Sequence, residues 1–404
     1  MSVPDTVTTA GTIIRLAARG DGVTADGRTV PFAAPGDVVQ PDGAIQPGPH
    51  HQTPPCRHFP TCGGCTLQHV DDAAYADYLV DRIAGALASQ GLRADIGRPH
   101  LSPPRTRRRA SLRAERIGRR ILLGFNEGQS RKIVDLAECW ILLPELFALL
   151  APLRTLLATL LADKKGCGVE LALADQGIDL LLTGIDPAGL PAIEAINDFA
   201  AAQGLARVAT DGGYGAEARW EPRPATVTLG GVAVALPAGG FLQATADGEA
   251  ALLASVREAV GDAKTVADLF SGLGTFALPL SATARVLAAE GARDAVLALK
   301  AAAGRAGRAV VADHRDLFRR PYTAAELSRF GAVVLDPPRA GAKEQVAELA
   351  KAGLPRIAYV SCNPATFARD AKMLVEEGWT IEWIRPVGQF RWSTHVELAA
   401  SFRR

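Results

Sequence analysis

The sequence predicts an α/β protein with a doubly wound, parallel C-terminal sheet, preceded by a central α/β domain and a small N-terminal β-barrel. Three observations carry this. The apolar runs TVADLF, ARVLAAE, AVVLD and RIAYVSC are separated by helix-length segments, the pattern of parallel strands covered by helices. Residues 100–225 mix strand-like and helix-like patterns. From Thr12 to Val39, short β-like runs alternate with the turn-rich DGVTADGRTV and AAPGDVV.

The chain has 404 residues, enough for two or three domains, and its 48% apolar content can fill several cores. The expected boundaries are 1–45 for the barrel, 46–235 for a cysteine-bearing segment with the central domain, and 236–404 for the parallel sheet. AIQPGPHHQTPP, from Ala44 to Pro55, reads as a linker, and residues 75–90 repeat apolar side chains at helical spacing. The start, MSVPDTVTTAGTIIRL, lacks a basic stretch followed by an apolar core. The most apolar stretch, from Leu142 to Ala162, contains Pro144, Glu145, Pro152 and Arg154, which suits no bilayer span. A cytoplasmic monomer without a membrane segment is therefore expected.

The net charge is only +1, but RTRRRASLRAERIGRR, from Arg105 to Arg120, holds eight arginines and one glutamate. Such a block suits phosphate contacts with nucleic acid, and equally a solvated face.

Four of the six cysteines form a pattern: Cys56, Cys62 and Cys65 in CRHFPTCGGC, then Cys139 in DLAECW. Four thiolates hold zinc or an iron–sulfur cluster, and spacing does not separate the two. Gly63 and Gly64 lean towards the cluster by offering close backbone approach and free N–H groups. Cys167, in KKGCGVE, has no partner pattern and reads as an ordinary thiol.

VADLFSGLGTFALPL places a strand ending in Asp268 before a turn with Gly272 and Gly274 and a helix start. The third glycine of the dinucleotide fingerprint is missing. A following strand ends in Glu290, where a carboxylate could accept both ribose hydroxyls, and another ends at VVADH, bringing Asp313 towards an adenine. This order of glycine turn and two acidic strand ends is typical of S-adenosylmethionine sites. AVVLDPPRAGA then ends a strand at Asp336, and YVSCNPATFARD puts Cys362 before Asn363-Pro364, at an exposed strand end. Ligands of such sheets bind beyond the carboxyl ends of the strands, so Asp336 and Cys362 should face the cofactor.

Together, DLFSGLGTFALPL, LDPPRAG, SCNPATFARD and the terminal HVE, behind the C-x5-C-G-G-C cluster, resemble the RNA uracil-5-methyltransferase family. The likeness extends from Cys56 to the C-terminus and is strongest to bacterial 23S rRNA enzymes that carry a [4Fe-4S] cluster. RGDGVTADGRTVPFAAPGDVV resembles a worn-down TRAM domain, an RNA-binding module.

The resemblance implies a Rossmann-like methyltransferase domain, S-adenosyl-L-methionine as cofactor, and a [4Fe-4S] cluster on Cys56, Cys62, Cys65 and Cys139. It implies Cys362 as the nucleophile that adds to uracil C6, and Glu397 as the base that removes the C5 proton. Gln243 would donate to the developing O4 oxyanion, and Asp336 would accept from N3–H and so reject cytosine. Gln243, Asp268, Phe270, Gly272, Gly274, Glu290, Asp313 and Asp336 would surround the cofactor. His395 would be structural and orient Glu397. Three departures from the family pattern stand out: Thr245 in place of an asparagine, Ser271 in place of a cysteine, and a helix after Glu290 without the family's asparagines. The implied substrate is 23S rRNA. Alternatives are the tRNA T-loop and a non-catalytic iron–sulfur protein that binds RNA.

Overall fold

The computed structural model describes residues 10–404; the first nine residues of the expected N-terminal domain lie outside the described residues. The α/β architecture is as the sequence implies. Three larger sheets form, and the separate hairpin Thr226–Leu229/Val232–Ala235 lies in the chain between the second and the third.

At the N-terminus, short antiparallel strands pair in the order Thr29–Val30, Gly22–Thr24, Gly11–Leu16, Val38–Val39, Ile45–Gln46, around a small core of Ile13, Ala33 and Val39. A six-stranded sheet holds Arg109–Ile117 and Gly166–Ala174 near its middle, and Leu150–Leu160 covers it with Leu153, Leu156 and Leu157.

The C-terminal sheet has eight strands, in the order Val310–His314, Arg285–Glu290, Thr265–Leu269, Ala332–Leu335, Arg356–Ser361, Glu397–Arg403, Thr380–Gly388, His100–Leu101. The first five are parallel; the inner strands Thr265–Leu269, Ala332–Leu335 and Arg356–Ser361 are near-continuous apolar runs buried on both faces, while the edge strand Val310–His314 is partly exposed. Glu397–Arg403 returns antiparallel between Arg356–Ser361 and Thr380–Gly388. Thr265–Leu269 pairs with Arg285–Glu290 on one side and Ala332–Leu335 on the other. The chain reverses its winding there, which opens a crevice above the strand ends.

The expected middle segment is not contiguous in space. Helix Asp72–Ser89 and strand His100–Leu101 belong to the eight-stranded layer. Asp71 caps the helix by accepting from Ala74 N–H at 2.8 Å. Its Tyr75, Leu79, Ile83 and Leu87 pack in one core with Phe367, Leu374 and Trp379. The i, i+4 spacing of those four residues is the stripe a sheet-covering helix needs, and burying each is worth about 1.5–3 kcal/mol. No helix among the described residues is long and apolar enough to cross a membrane; Pro144 instead opens the short helix Pro144–Ala148.

Candidate active site and cysteine cavity

A cavity of about 740 Å³ lies above the carboxyl ends of the parallel strands, within the range of small-molecule sites. Gln243, Phe270, Gly272, Glu290, Asp336, Cys362 and Glu397 all line it, although they come from widely separated stretches of chain.

Each is delivered by a local structural cause. Cys362 follows the last residue of Arg356–Ser361 and precedes Asn363, whose side chain caps Pro364–Glu376 by accepting from Ala365 N–H at 3.1 Å. Pro364 occupies the first turn, where a missing N–H costs nothing. SCNPA is therefore a strand end and a helix start in five residues, with the thiol at the corner. Asp336 follows Ala332–Leu335 in the same way, and its N–H donates to Leu269 O at 3.2 Å. Glu397 begins the antiparallel return strand and is 6% exposed.

The glycine turn has two demanding positions. Gly274 sits at φ +92°, and a Cβ there would come within 2.6 Å of Leu299 Cδ1, so only glycine lets the turn pack on the helix Arg293–Arg305. Phe270 adopts φ +64°, a strained value for a bulky residue, and its ring packs on Phe318 with centroids 5.4 Å apart at the cavity wall. Glu290 braces the turn: its carboxylate accepts from Gly272 N–H at 2.9 Å and Ala292 N–H at 2.8 Å. These bonds hold both oxygens at the cavity edge, with lone pairs left for hydroxyl donors.

The electrostatics are dominated by clustered, buried carboxyls. Burial raises Glu397 to about 8, with Asp336 adding to the rise, while Gln389's hydrogen bond and Arg109 oppose it. Burial and then Glu290 raise Asp336 to about 7. Cys362 is pushed up by burial, then by Glu397 and Asp336; its own amide and Arg339 pull the other way. A cavity that holds several acids near neutrality suits proton traffic.

Three expected cofactor residues, Asp313, Asp268 and Gly274, do not line the cavity. Asp313 is engaged elsewhere, accepting from the Tyr322 hydroxyl; the loop beyond it supplies Asp316, Leu317 and Phe318 to the cavity instead. Asp268 lies fully buried behind the glycine turn, and neither carboxyl oxygen has a hydrogen-bond partner among the described residues. Burial, with Asp336 and Glu290 adding to it, pushes Asp268 well above the usual carboxylate range. Gly274 acts through packing.

Two of the three departures have a visible setting. Thr245 caps helix Ala246–Val260, its hydroxyl accepting from Gly248 N–H at 3.1 Å, a job that asparagine also does. Ser271 is buried at the cavity with its hydroxyl unpartnered among the described residues.

The arginine block divides. Arg105, Arg113, Arg119 and Arg120 are exposed, but Arg107, Arg108, Arg109 and Arg116 turn inward. Arg108 Nε donates to Gln243 O at 3.0 Å and also pairs with Glu249 at 2.5 Å, locking the two large sheets together. Arg116 caps the carbonyls of Ala158 and Leu161. Arg109 reaches the cavity beneath the exposed ring of Phe241, at 4.5 Å. The block is therefore neither one phosphate-binding face nor one solvated face, because half of its arginines are taken up by partners within the fold. Sequence reasoning also passed over Arg339, although it stands in the quoted LDPPRAG, and Gln389 entirely.

Cys56, Cys62, Cys65 and Cys139 line a second, small cavity. Every sulfur meets a donor: the His58 and Phe59 amides at Cys56, Gly64 at Cys62, the Gln68 side chain at Cys65, and the Ile141 and Leu142 amides at Cys139. Burial raises all four thiols, Cys65 to about 12. Gly63 corrects the expectation of a free N–H: it donates to Asn126 O at 2.9 Å, and a Cβ there would lie 2.8 Å from that oxygen. Among the described residues, no group of three or more histidine, cysteine, aspartate or glutamate side chains is drawn together around a single metal-ion position. Cys167 is a buried core thiol.

The family model described as tRNA (Uracil-5-)-methyltransferase matches residues 308–404. An uncharacterized RNA methyltransferase of Zymomonas mobilis is 56% identical over 393 residues, 97% of this chain and 99% of that protein. The 23S rRNA (uracil(1939)-C(5))-methyltransferase RlmD of Halomonas elongata is 34% identical over 379 residues, 85% of this chain and 75% of that protein. The Pyrococcus abyssi tRNA (uracil-54, C5)-methyltransferase, solved with S-adenosyl-L-homocysteine, aligns with TM-score 0.75 over 98% of this chain and 99% of that one. At 23% identity that likeness speaks for the Rossmann-like fold.

Proposed function

The chain belongs to the RNA uracil-5-methyltransferase family, and we propose that it methylates C5 of a uridine in 23S rRNA through a covalent adduct on Cys362. The observation that carries this reading is the convergence of Cys362, Glu397, Asp336 and Gln243 on one cavity above the strand ends.

The residues account for the chemistry. S-adenosylmethionine supplies the methyl group as an electrophile; Phe270, Gly272 and Glu290 would hold it. Uracil C5 is a weak nucleophile, so the Cys362 thiolate adds to C6 and moves the electron pair towards C5 and O4. The Gln243 amide donates to O4 as charge builds. An Asp336 carboxyl oxygen accepts from N3–H, a proton that cytosine lacks. After methyl transfer, Glu397 takes the C5 proton, the C6–S bond breaks and Cys362 is free again. The uridine must leave its stack to enter so enclosed a cavity.

The 23S rRNA assignment rests on the Halomonas relative and on the four cysteines. For these we propose a [4Fe-4S] cluster, supported by four sulfurs on one cavity, each with an N–H donor of the kind that stabilises bound thiolate. The N-terminal sheet would act as a TRAM-like RNA contact, joined by the exposed arginines. We propose the domain limits 1–45, 46–235 and 236–404, with 72–101 of the middle segment folding onto the last.

Nucleoside mass spectrometry of separated 23S rRNA and tRNA, from cells with and without the gene, tests the substrate. Loss of 5-methyluridine from rRNA alone supports the reading. Loss from tRNA alone keeps the chemistry and moves the substrate to the T-loop. No loss in either overturns it.

A further inference from the structure

We infer that Gln389 is a positioning residue that orients both Gln243 and Glu397, so that one side chain sets the base selectivity and the proton-removal step of the proposed reaction. This rests on the function proposed above and extends it to a residue that touches no substrate atom.

Gln389 is 2% exposed and follows strand Thr380–Gly388 directly. Its Oε1 accepts from Ala244 N–H at 2.8 Å; its Nε2 donates to Gln243 Oε1 at 2.7 Å and also to Glu397 Oε2. The orientation follows from chemistry. A backbone N–H only donates, so the Gln389 end facing Ala244 is its oxygen, and the other end is the NH2 group. That group has two hydrogens, and both are used. Gln243 must therefore present its own oxygen to Gln389. Its NH2 makes no hydrogen bond to the described residues, and the side chain lines the cavity.

The consequence is a polarity. Gln243 offers the cavity a donor, which matches the O4 acceptor of uracil and opposes the N4 amino group of cytosine. Without Gln389 the Gln243 amide would turn over freely, because its two ends have nearly the same shape. Gln389 also fixes the carboxylate of Glu397 beside Cys362. Asp336, Arg109 and Cys362 are the other ionisable groups facing that carboxylate. Of all these neighbours, Gln389 is the one that donates a hydrogen bond to it, so its removal raises the pH at which Glu397 becomes a base.

The test compares wild type with Gln389→Met, which keeps the length and removes both N–H donors, and Gln389→Glu, which keeps the acceptor for Ala244. Methyl transfer to uridine RNA is measured across pH, with competition by the same RNA carrying cytidine at the target and calorimetric binding of S-adenosylhomocysteine. The expected result is a fall in kcat of about 10- to 100-fold in both variants, less than the roughly 10²–10³ lost with a preorganised oxyanion donor itself. The rising limb of kcat against pH moves alkaline, further in Gln389→Glu, the cytidine RNA competes better, and S-adenosylhomocysteine binds as in wild type. Unchanged kcat and limb overturn the inference. So does a fall in kcat with an unmoved limb, or one accompanied by lost S-adenosylhomocysteine binding, since general damage then suffices. A wild type that methylates no RNA sinks the proposed function instead, which separates the two failures.

Discussion

The Tyr359 hydroxyl donates to Asp370 Oδ2 at 2.7 Å, inside the core. The same oxygen accepts from Ala342 N–H at 2.9 Å, and Oδ1 pairs with Arg369. Asp370 thus ties the strand that delivers Cys362 to the loop that leaves Asp336. It explains the last residue of the quoted YVSCNPATFARD as a brace, set eight residues beyond the thiol.

Asp370→Ala should leave a buried phenol and a buried amide unsatisfied and cost about 2–4 kcal/mol. Tyr359→Phe should cost about 1 kcal/mol. Urea denaturation followed by circular dichroism checks both. Equal midpoints for Asp370→Ala and wild type would remove the brace from the account.

Glu397→Gln separates the chemical steps. Addition and methyl transfer need Cys362 and Gln243, but release needs the base, so the variant should accumulate a protein–RNA adduct that survives denaturing gel electrophoresis. Turnover should fall by about 10²–10⁴-fold. Cys362→Ala should show neither adduct nor turnover. An adduct in Cys362→Ala would mean another residue attacks the ring.

The buried carboxyls also predict how stability follows pH. Glu397 and Asp336 titrate near 8 and 7 when folded, above the ordinary values of about 4 expected when unfolded. Between those limits the folded chain holds more protons, so these groups lower stability as pH rises from about 4 through about 8, and their cost is absent below that window. Glu397→Gln should therefore be more stable than wild type at pH 8, by on the order of 1–4 kcal/mol, with the gap closing towards pH 4. Thermal melts of ligand-free protein across that range give the comparison; a gap that widens as pH falls would reverse the assignment.

For the cysteines, anaerobic reconstitution with iron and sulfide should give a brown protein with both elements bound in equal amounts. Cys139→Ala should lose most of the iron and melt at lower temperature, because Cys139 joins the loop after Leu136 to the Cys56–Cys65 loop. Iron analysis and melting are read without any RNA. Retention of zinc rather than iron after purification under anaerobic conditions would favour a single-ion site.

Much of the candidate site's lining was legible because βα sheets place their crevices at strand ends, and strand ends are visible as apolar runs that stop at Asp336 and Cys362. Glu290 and Phe270 followed from the same rule. Asp313 also sits at a strand end, but its carboxylate accepts from Tyr322 instead of lining the cavity. Which way a side chain points at a strand end depends on what packs beside it, and Tyr322 lies in a loop with no strand or helix pattern. The arginine block was counted as charge, whereas partners such as Glu249 and the helix-end carbonyls of Ala158 and Leu161 were spread along the chain.

Taken by itself, the sequence determined the layer architecture, the family and the local corners: SCNP as strand end and helix cap, and the glycine turn before a helix. These depend on residues a few positions apart, where backbone preferences and capping act directly. Tertiary structure alone decided the polarity of Gln243, the use of Arg109 inside the cavity and the part of Gln389. Those rest on hydrogen bonds and burial between residues such as Gln243, Gln389 and Glu397, which only the closed fold brings within 3 Å or so.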